Sequence, residues 1–187
     1  ELVGNGKNVV LILNALDYKQ ESRQKFLATE TEMLEDLGFN VEEVDLRNYF
    51  GKEKEIEEKL RTKDVVWING GNTFLLRRAM KQSGFDAVIK KLLVEDKIVY
   101  AGFSAACAVI QKDLHGIEIT DDSNIVTEGY EKETIWDGLG LIDFSLVVHY
   151  DSDHPESEEA NKEIEYYKKN NIPYKTFRDG EVIFSNF

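Results

Sequence analysis

Hydrophobic and polar positions fall into two repeating patterns over the first hundred residues. Continuous apolar runs are typical of strands buried on both faces, and they occur at 8–15 ("NVVLILNA"), 64–70 ("DVVWING") and 98–103 ("IVYAGF"). An alternating run, typical of a further strand, occurs at 40–46 ("NVEEVDL"). Helical spacing of apolar residues occurs at 21–37, 52–63, 73–80 and 85–93. Strands that alternate with helices predict an α/β fold: a three-layer sandwich whose mostly parallel sheet is flanked by helices.

The pattern loosens after residue 111. One more strand is predicted within 140–150 ("GLIDFSLVVHY"), a polar helix at 156–169, and a closing strand at 181–187 ("EVIFSNF"). No repeat or Gly/Ser/Pro-rich linker divides the chain. We therefore expect residues 1–187 to form a single domain.

Composition and charge exclude several partner classes. The net charge of −13 argues against a nucleic-acid surface and against docking on an anionic membrane. No apolar run approaches the roughly 20 residues that a membrane span needs. Cys107 is the single cysteine, which excludes an internal disulfide and suits a reducing compartment, so we expect a cytoplasmic location.

The stretch "AGFSAAC", residues 101–107, joins a predicted strand to a run of small apolar residues. It resembles the G-x-S-x-G elbow that lifts a nucleophilic serine clear of a parallel sheet, although Ala106 stands where the second glycine would be. Ser104 is therefore a candidate nucleophile. The turn alone is equally compatible with a serine chosen for its small size where helix meets sheet.

A second loop, "NGGNT", follows the strand at 64–70 and ends at the same sheet edge if the two strands are neighbours. Gly70 or Gly71 could then provide one backbone N–H of an oxyanion hole, and Ala105 the other. Asn72 or Thr73 is expected to cap the next helix.

A nucleophilic serine needs a general base, and the chain has three histidines. His149 ends the apolar run "FSLVVH", at the carboxyl end of a predicted strand, and is the leading candidate. His154 is the reserve candidate. His115 lies in a polar stretch and is expected in an exposed loop.

An orienting carboxylate completes such a site. Asp121 and Asp122 lie between Ser104 and His149, which gives the chain order Ser, Asp, His. With 36 acidic residues in the chain, an aspartate in this interval is weak support, and a turn or capping role is the alternative.

Two other chemistries deserve comparison. "HYDSDH" offers His149, Asp151, Asp153 and His154 as metal ligand types, but strand alternation would place His154 on the opposite face from the others. We expect neither a metal nor a cofactor. Cys107 as a nucleophile is disfavoured, because one helical turn beyond Ser104 it should face the packing side.

Taken together, "INGGNTFLL" (68–76), "YAGFSAACAVI" (100–110) and "GLGLIDFSLVVHYDSDHPE" (138–156) resemble the peptidase E family of serine peptidases, the aspartyl dipeptidases and their relatives. The resemblance implies a fold like that of class I glutamine amidotransferases. It also implies hydrolysis of small peptides through an acyl-enzyme, with Ser104 as nucleophile, His149 as base and Asp122 as the acidic member. Gly70, Gly71, Asn72 and Ala105 fall where the family builds its oxyanion and substrate site.

The sequence departs from the family pattern in two informative places. Ala106 replaces the motif glycine, and no arginine follows the histidine in "PESEEANKEIEYYKK", where aspartyl-specific members hold the substrate carboxylate. Lys162 is the nearest substitute, so Asp-X specificity is not expected. These departures motivate an alternative hypothesis, a catalytically impaired relative that binds a peptide or small molecule. The sequence favours neither a monomer nor a homodimer.

Overall fold

A four-stranded parallel sheet forms the centre of the computed structural model, which describes residues 6–185. Its strands are β1 (Asn8–Ile12), β2 (Asn40–Glu43), β3 (Val65–Ile68) and β4 (Val99–Gly102), in the order β2-β1-β3-β4. All three strand pairings are parallel. The carboxyl ends of β3 and β4, which precede the two candidate loops, are therefore adjacent on one edge.

Helices cover both faces of this sheet, except that the last helix in the chain packs on the second sheet described below. They are α1 (Gln20–Asp36), α2 (Glu53–Leu60), α3 (Thr73–Ser83), α4 (Phe85–Val94), α5 (Ala105–Ala108) and α6 (Ser157–Lys169). Shorter 3-10 turns occupy Asn14–Leu16, Leu46–Tyr49 and Ile117–Ile119. Each predicted helix is present, and its ends agree within a few residues with the sequence pattern.

Side-chain alternation along β1 explains the three layers. Leu11 packs toward Phe26 and Leu27 of α1, whereas Val10 and Ile12 belong to the large core formed with α2, α3 and α4. Because successive strand residues point to opposite faces, a continuous apolar run serves both layers at once. The predicted α/β sandwich is confirmed.

A second, two-stranded parallel sheet differs from the sequence expectation. β5 (Ser145–Val147) lies in the predicted strand region, but its partner β6 (Tyr174–Thr176) was not predicted. Residues 181–185 form no strand, and the last two residues of that predicted strand lie outside the described part of the chain. Gln111, just beyond α5, joins the second sheet to the rest, because its Oε1 accepts the Leu146 N–H at 2.9 Å.

Among residues 6–185, no helix is long and apolar enough to cross a membrane.

Candidate active site

Ser104 lies in a sharp turn between β4 and α5, with φ 53° and ψ −115°. This backbone conformation is rare for a residue with a side chain, and such outliers concentrate at functional sites. Gly102 makes the turn feasible, because a Cβ there would lie 2.4 Å from the Ile68 carbonyl oxygen. The turn has the strand-to-helix form of a nucleophile elbow.

Ala106, the departure from the motif, is completely buried beneath this turn. A Cβ placed on Gly102 would lie 2.6 Å from the Ala106 Cβ, so the alanine methyl occupies space left free by Gly102. Ala106 belongs to the main core with Ala105 and Val109. The extra methyl is therefore accommodated in the protein interior.

His149 follows β5 and faces the serine. Its Nε2 lies 3.1 Å from Ser104 Oγ, within hydrogen-bond distance. His149 also has a positive φ, 59°, which turns the chain sharply after the strand. The sequence-predicted nucleophile and base are thus brought together.

Asp179 supplies the carboxylate on the other side of the imidazole. Its Oδ1 lies 2.7 Å from His149 Nδ1, in a side chain that is 48% exposed. The parallel pairing of β5 with β6 creates this contact, since His149 and Asp179 each follow one of the paired strands. The pairing continues past the strands, because the Tyr150 N–H donates to the Phe177 carbonyl at 3.0 Å. The Asp179 N–H also donates to Ser152 Oγ, which fixes the loop.

The structure does not bring Asp122 to His149. The exposed Asp122 carboxylate accepts from the backbone and side-chain nitrogens of Asn124, and these bonds lower its pKa. Asp121 accepts the Thr73 N–H at 2.8 Å, and burial raises the pKa of its carboxyl to about 6. Both aspartates therefore hold the turn that packs on the start of α3, as the capping alternative proposed.

The Gly70–Gly71 loop lies directly against the serine turn. A Cβ on Gly70 would come within 2.9 Å of Ser104 Cβ, and Gly71, with φ 135°, would meet the Ala15 carbonyl oxygen. Glycine is therefore required at both positions for the loop to pass this close. Ala105 occupies the first position of α5, where a backbone N–H has no partner within the helix.

The hydrogen bonds of Asn72 hold the Gly70–Gly71 loop in place. Its Oδ1 accepts the Leu75 N–H at the start of α3, and its Nδ2 donates to the Asp122 carbonyl. Its backbone N–H donates to the Ala15 carbonyl. These contacts confirm the expected capping of α3 by Asn72 and hold the loop in place, while the substrate-site position that the resemblance implies for Asn72 stays a prediction.

The side chains of Cys107 and His115 take no part in the contact between Ser104 Oγ and His149. Burial raises the pKa of the Cys107 thiol to about 11, and its Sγ approaches the Gly102 carbonyl. The ring of His115 stacks on Trp136, and its Nδ1 contacts Asp113. Neither contact involves Ser104.

Lys162, the suggested substrate-binding cation, is 59% exposed on α6 and pairs with Glu159. Arg178, which the sequence analysis overlooked, lies beside Asp179 and pairs with Asp151. Each of these cations is thus already matched with a carboxylate.

His154 and Glu156 also lie beside His149. The two imidazole rings stack, with centroids 3.6 Å apart and planes 7° from parallel. Glu156 Oε2 lies 3.9 Å from His149 Nε2. The expectation that His154 would face away was wrong, because β5 ends at Val147 and strand alternation does not apply beyond it.

Comparison with known proteins shows the family of this chain. The model of peptidase family S51 matches residues 1–186. The chain belongs to peptidase family S51. An uncharacterized peptidase of Listeria monocytogenes is 32% identical over 147 residues, which cover 79% of this chain and 67% of that protein. A Drosophila melanogaster protein described as a probable alpha-aspartyl dipeptidase is 27% identical, over 78% of this chain and 53% of that protein.

Solved structures support the same assignment of this S51 chain. A crystal structure of a candidate peptidase E protein from Listeria monocytogenes has a TM-score of 0.70 and 27% identity, and covers 97% of this chain and 87% of that chain. A peptidase from an acI-B1 actinobacterium has a TM-score of 0.61 at 15% identity, over 87% of this chain and 64% of that chain, which shows the shared fold.

Proposed function

We propose that this member of family S51 is a serine-type peptidase whose nucleophile is Ser104, general base His149 and orienting carboxylate Asp179. The observation that supports this most directly is the continuous chain of contacts from Ser104 Oγ to His149 Nε2, and from His149 Nδ1 to Asp179. A carboxylate can only accept, so Nδ1 carries the imidazole proton and Nε2 is left to take the serine proton.

The geometry supports a two-step hydrolysis. Ser104 Oγ attacks the peptide carbonyl carbon while His149 Nε2 accepts the hydroxyl proton, and His149 then returns that proton to the departing amine. Water hydrolyses the resulting acyl-enzyme with His149 again acting as base. Backbone N–H groups of Ala105 and of Gly70 or Gly71 would stabilise the oxyanion.

Short peptides without an acidic side chain at the cleaved residue are the proposed substrates. The carboxylates of Asp179 and Glu156 lie around His149, whereas Arg178 and Lys162 are each paired with an acid. A negatively charged substrate side chain would meet net repulsion in such surroundings. We therefore expect dipeptides of the Asp-X type to be cleaved no faster than neutral ones.

Fluorophosphonate labelling together with a dipeptide panel tests the proposal. We expect a covalent adduct and peptide turnover in the wild type, and loss of both in Ser104→Ala. Cys107→Ser is the matched control. Cys107 lies on the short helix that follows Ser104 and has a nucleophilic side chain, but we expect its loss to leave labelling and turnover unchanged. Equal turnover in wild type and Ser104→Ala would contradict the proposal.

The alternative hypothesis of an impaired, peptide-binding relative predicts a different result. Such a protein would bind panel members without any Ser104-dependent turnover at high enzyme concentration. The Ala106 substitution that motivated this alternative lies inside the core, so it no longer favours the alternative.

A further inference from the structure

Three potential metal ligands converge beside the proposed nucleophile. One ligand atom each from His149, His154 and Glu156 lies within 4.8 Å of the other two. Glu156 Oε2 is 3.9 Å from His149 Nε2 and 4.0 Å from His154 Nδ1. His154 and Glu156 transfer no proton in the proposed hydrolysis, so their convergence on His149 needs a separate explanation.

The hydrogen bonds fix which nitrogens face the carboxylate. His149 Nδ1 is held by Asp179, which leaves a lone pair on Nε2. His154 Nδ1 accepts the Glu156 backbone N–H at 3.2 Å, so it too is the unprotonated nitrogen of a neutral ring. Each of these lone pairs accepts one hydrogen in the structure, from the Ser104 hydroxyl at His149 Nε2 and from the Glu156 backbone N–H at His154 Nδ1, and a metal would replace both donors.

At 3.9 and 4.0 Å the Glu156 carboxylate lies beyond hydrogen-bond distance of both ring nitrogens, so a cation between the three groups would add an attraction that they lack on their own. A proton would bridge one pair of these atoms, whereas a divalent metal would satisfy all three. Imidazole and carboxylate ligands suit Zn²⁺, and a catalytic or regulatory zinc takes three protein ligands plus one exchangeable position. The Asp179 carboxylate behind His149 is also the outer partner that metal-binding histidines usually have.

The distances allow Zn²⁺ to bind after small side-chain movements. Bonds of about 2.0–2.1 Å in a tetrahedral site place ligand atoms roughly 3.3 Å apart, so the observed separations must shorten by about 0.6 Å. The side chains of His154 and Glu156 are 31% and 41% exposed, which leaves them room to rotate. The His154 ring must leave its stacked orientation, because a metal binds in the plane of an imidazole.

We propose that His149 Nε2, His154 Nδ1 and the Glu156 carboxylate form an inhibitory site for Zn²⁺ or a similar divalent transition metal. The inhibitory effect rests on the proposed function, since a metal on Nε2 occupies the lone pair that must accept the serine proton. Ser104 Oγ, 3.1 Å from Nε2, would lose this contact when the metal binds. The metal therefore switches the serine off without any change in the fold.

Metal binding is measured first, independently of turnover. Isothermal titration of the Ser104→Ala protein with Zn²⁺, and visible absorption with Co²⁺, should reveal one site per chain. His154→Ala and Glu156→Gln should weaken binding by at least the roughly 10–100-fold typical of losing even an outer partner. His115→Ala removes a histidine elsewhere and is the matched control, with unchanged affinity expected. All variants are compared in the Ser104→Ala background, and equal affinity with and without His154→Ala would overturn the site.

Inhibition is measured second, as activity with Zn²⁺ relative to activity after chelation within each protein. Wild type should be inhibited reversibly, and His154→Ala should need at least tenfold more Zn²⁺ for the same fractional loss. Zinc binding that leaves wild-type turnover intact, or raises it, would overturn the inhibitory role. Zinc binding by a protein without peptidase activity would refute the proposed function and leave the metal site standing.

Discussion

At the residue scale, the tautomer of His149 decides whether Ser104 can be activated. The ring has one proton when neutral, and its position follows the stronger partner. In the proposed hydrolysis, the 2.7 Å contact with Asp179 keeps that proton on Nδ1, opposite Ser104. Replacing the carboxylate with an amide would allow Nδ1 to accept instead, which would move the proton to Nε2 and remove the base.

Asp179→Asn should therefore lower kcat by roughly 10²–10⁴-fold with little change in KM, since the wrong tautomer affects the chemical step. Asp122→Asn is the matched control, because the Asp122 side chain contacts Asn124 and not His149. We expect that variant to keep its kcat within about twofold. Steady-state kinetics on the best dipeptide of the panel measures both values.

A larger loss of kcat in Asp122→Asn than in Asp179→Asn would show that Asp122 is the orienting carboxylate. The orienting role of Asp179 would then be refuted, even if Ser104 and His149 kept theirs.

At the element scale, the sequence predicted those parts of the site that directly follow a strong local pattern. Ser104, Gly70 and His149 each lie at the end of a predicted strand. The meeting of Gly70 with Ser104 could be anticipated because β3 and β4 are neighbours in one sheet, whereas His149 follows a strand of the second sheet. Asp179 follows β6, whose three residues are too few to show any periodicity. The contact with His149 depends on the pairing of β6 with β5, a long-range event that no local pattern encodes.

The turn at Ser104 accommodates an alanine, Ala106, at the position where the motif has glycine. Ala106 lies on α5 directly over Gly102, and its methyl fills what would otherwise be a small void. Helix propensity also favours alanine over glycine at this position. The alanine thus contributes to stability where the motif glycine would not.

Ala106→Gly should consequently lower the free energy of unfolding by about 1 kcal/mol or somewhat more, from propensity and the lost methyl. Turnover should change by no more than about threefold, since the methyl points into the core. Urea unfolding and dipeptide kinetics on the same preparations test the two parts. A large gain in kcat would instead show that the methyl hinders the acyl group.

At the scale of the whole molecule, the net charge is −13, but individual carboxyl groups lie in environments that shift their pKa values in opposite directions. Asp45 is hydrogen-bonded by Arg47 and Asn14, and its pKa falls to about 2 even though burial opposes the change. Glu163 on α6 is buried near other acids, and burial raises its pKa to about 8, although Thr120 donates a hydrogen bond to it. The two groups therefore affect stability at different pH values.

The raised pKa of Glu163 makes folding pH-dependent between about pH 4.5 and 8. Between its ordinary value of 4.5 and about 8, the native state binds more protons at this carboxyl than the unfolded state, so its contribution to stability falls as pH rises. Glu163→Gln, which stays neutral, should reduce this slope and be more stable than wild type at pH 9. Urea unfolding at pH 5 and pH 9 measures the difference.

Glu165→Gln, on the exposed side of the same helix, is the control and should leave the slope unchanged. Equal slopes in wild type and Glu163→Gln would mean that the buried carboxyl ionises without cost.

The backbone conformation of Ser104 limits how far the thermal stability of this protein can be raised while the serine is kept. Its left-handed conformation costs on the order of 1–3 kcal/mol for a residue with a Cβ, more than the roughly 0.5–1 kcal/mol of flexibility that glycine adds to the unfolded chain. Ser104→Gly should therefore raise the melting temperature, and calorimetry against Ser104→Ala, which keeps the strain, would show it. Directed evolution for heat resistance alone would then favour variants that have discarded the nucleophile, so any such campaign must select for turnover in the same round.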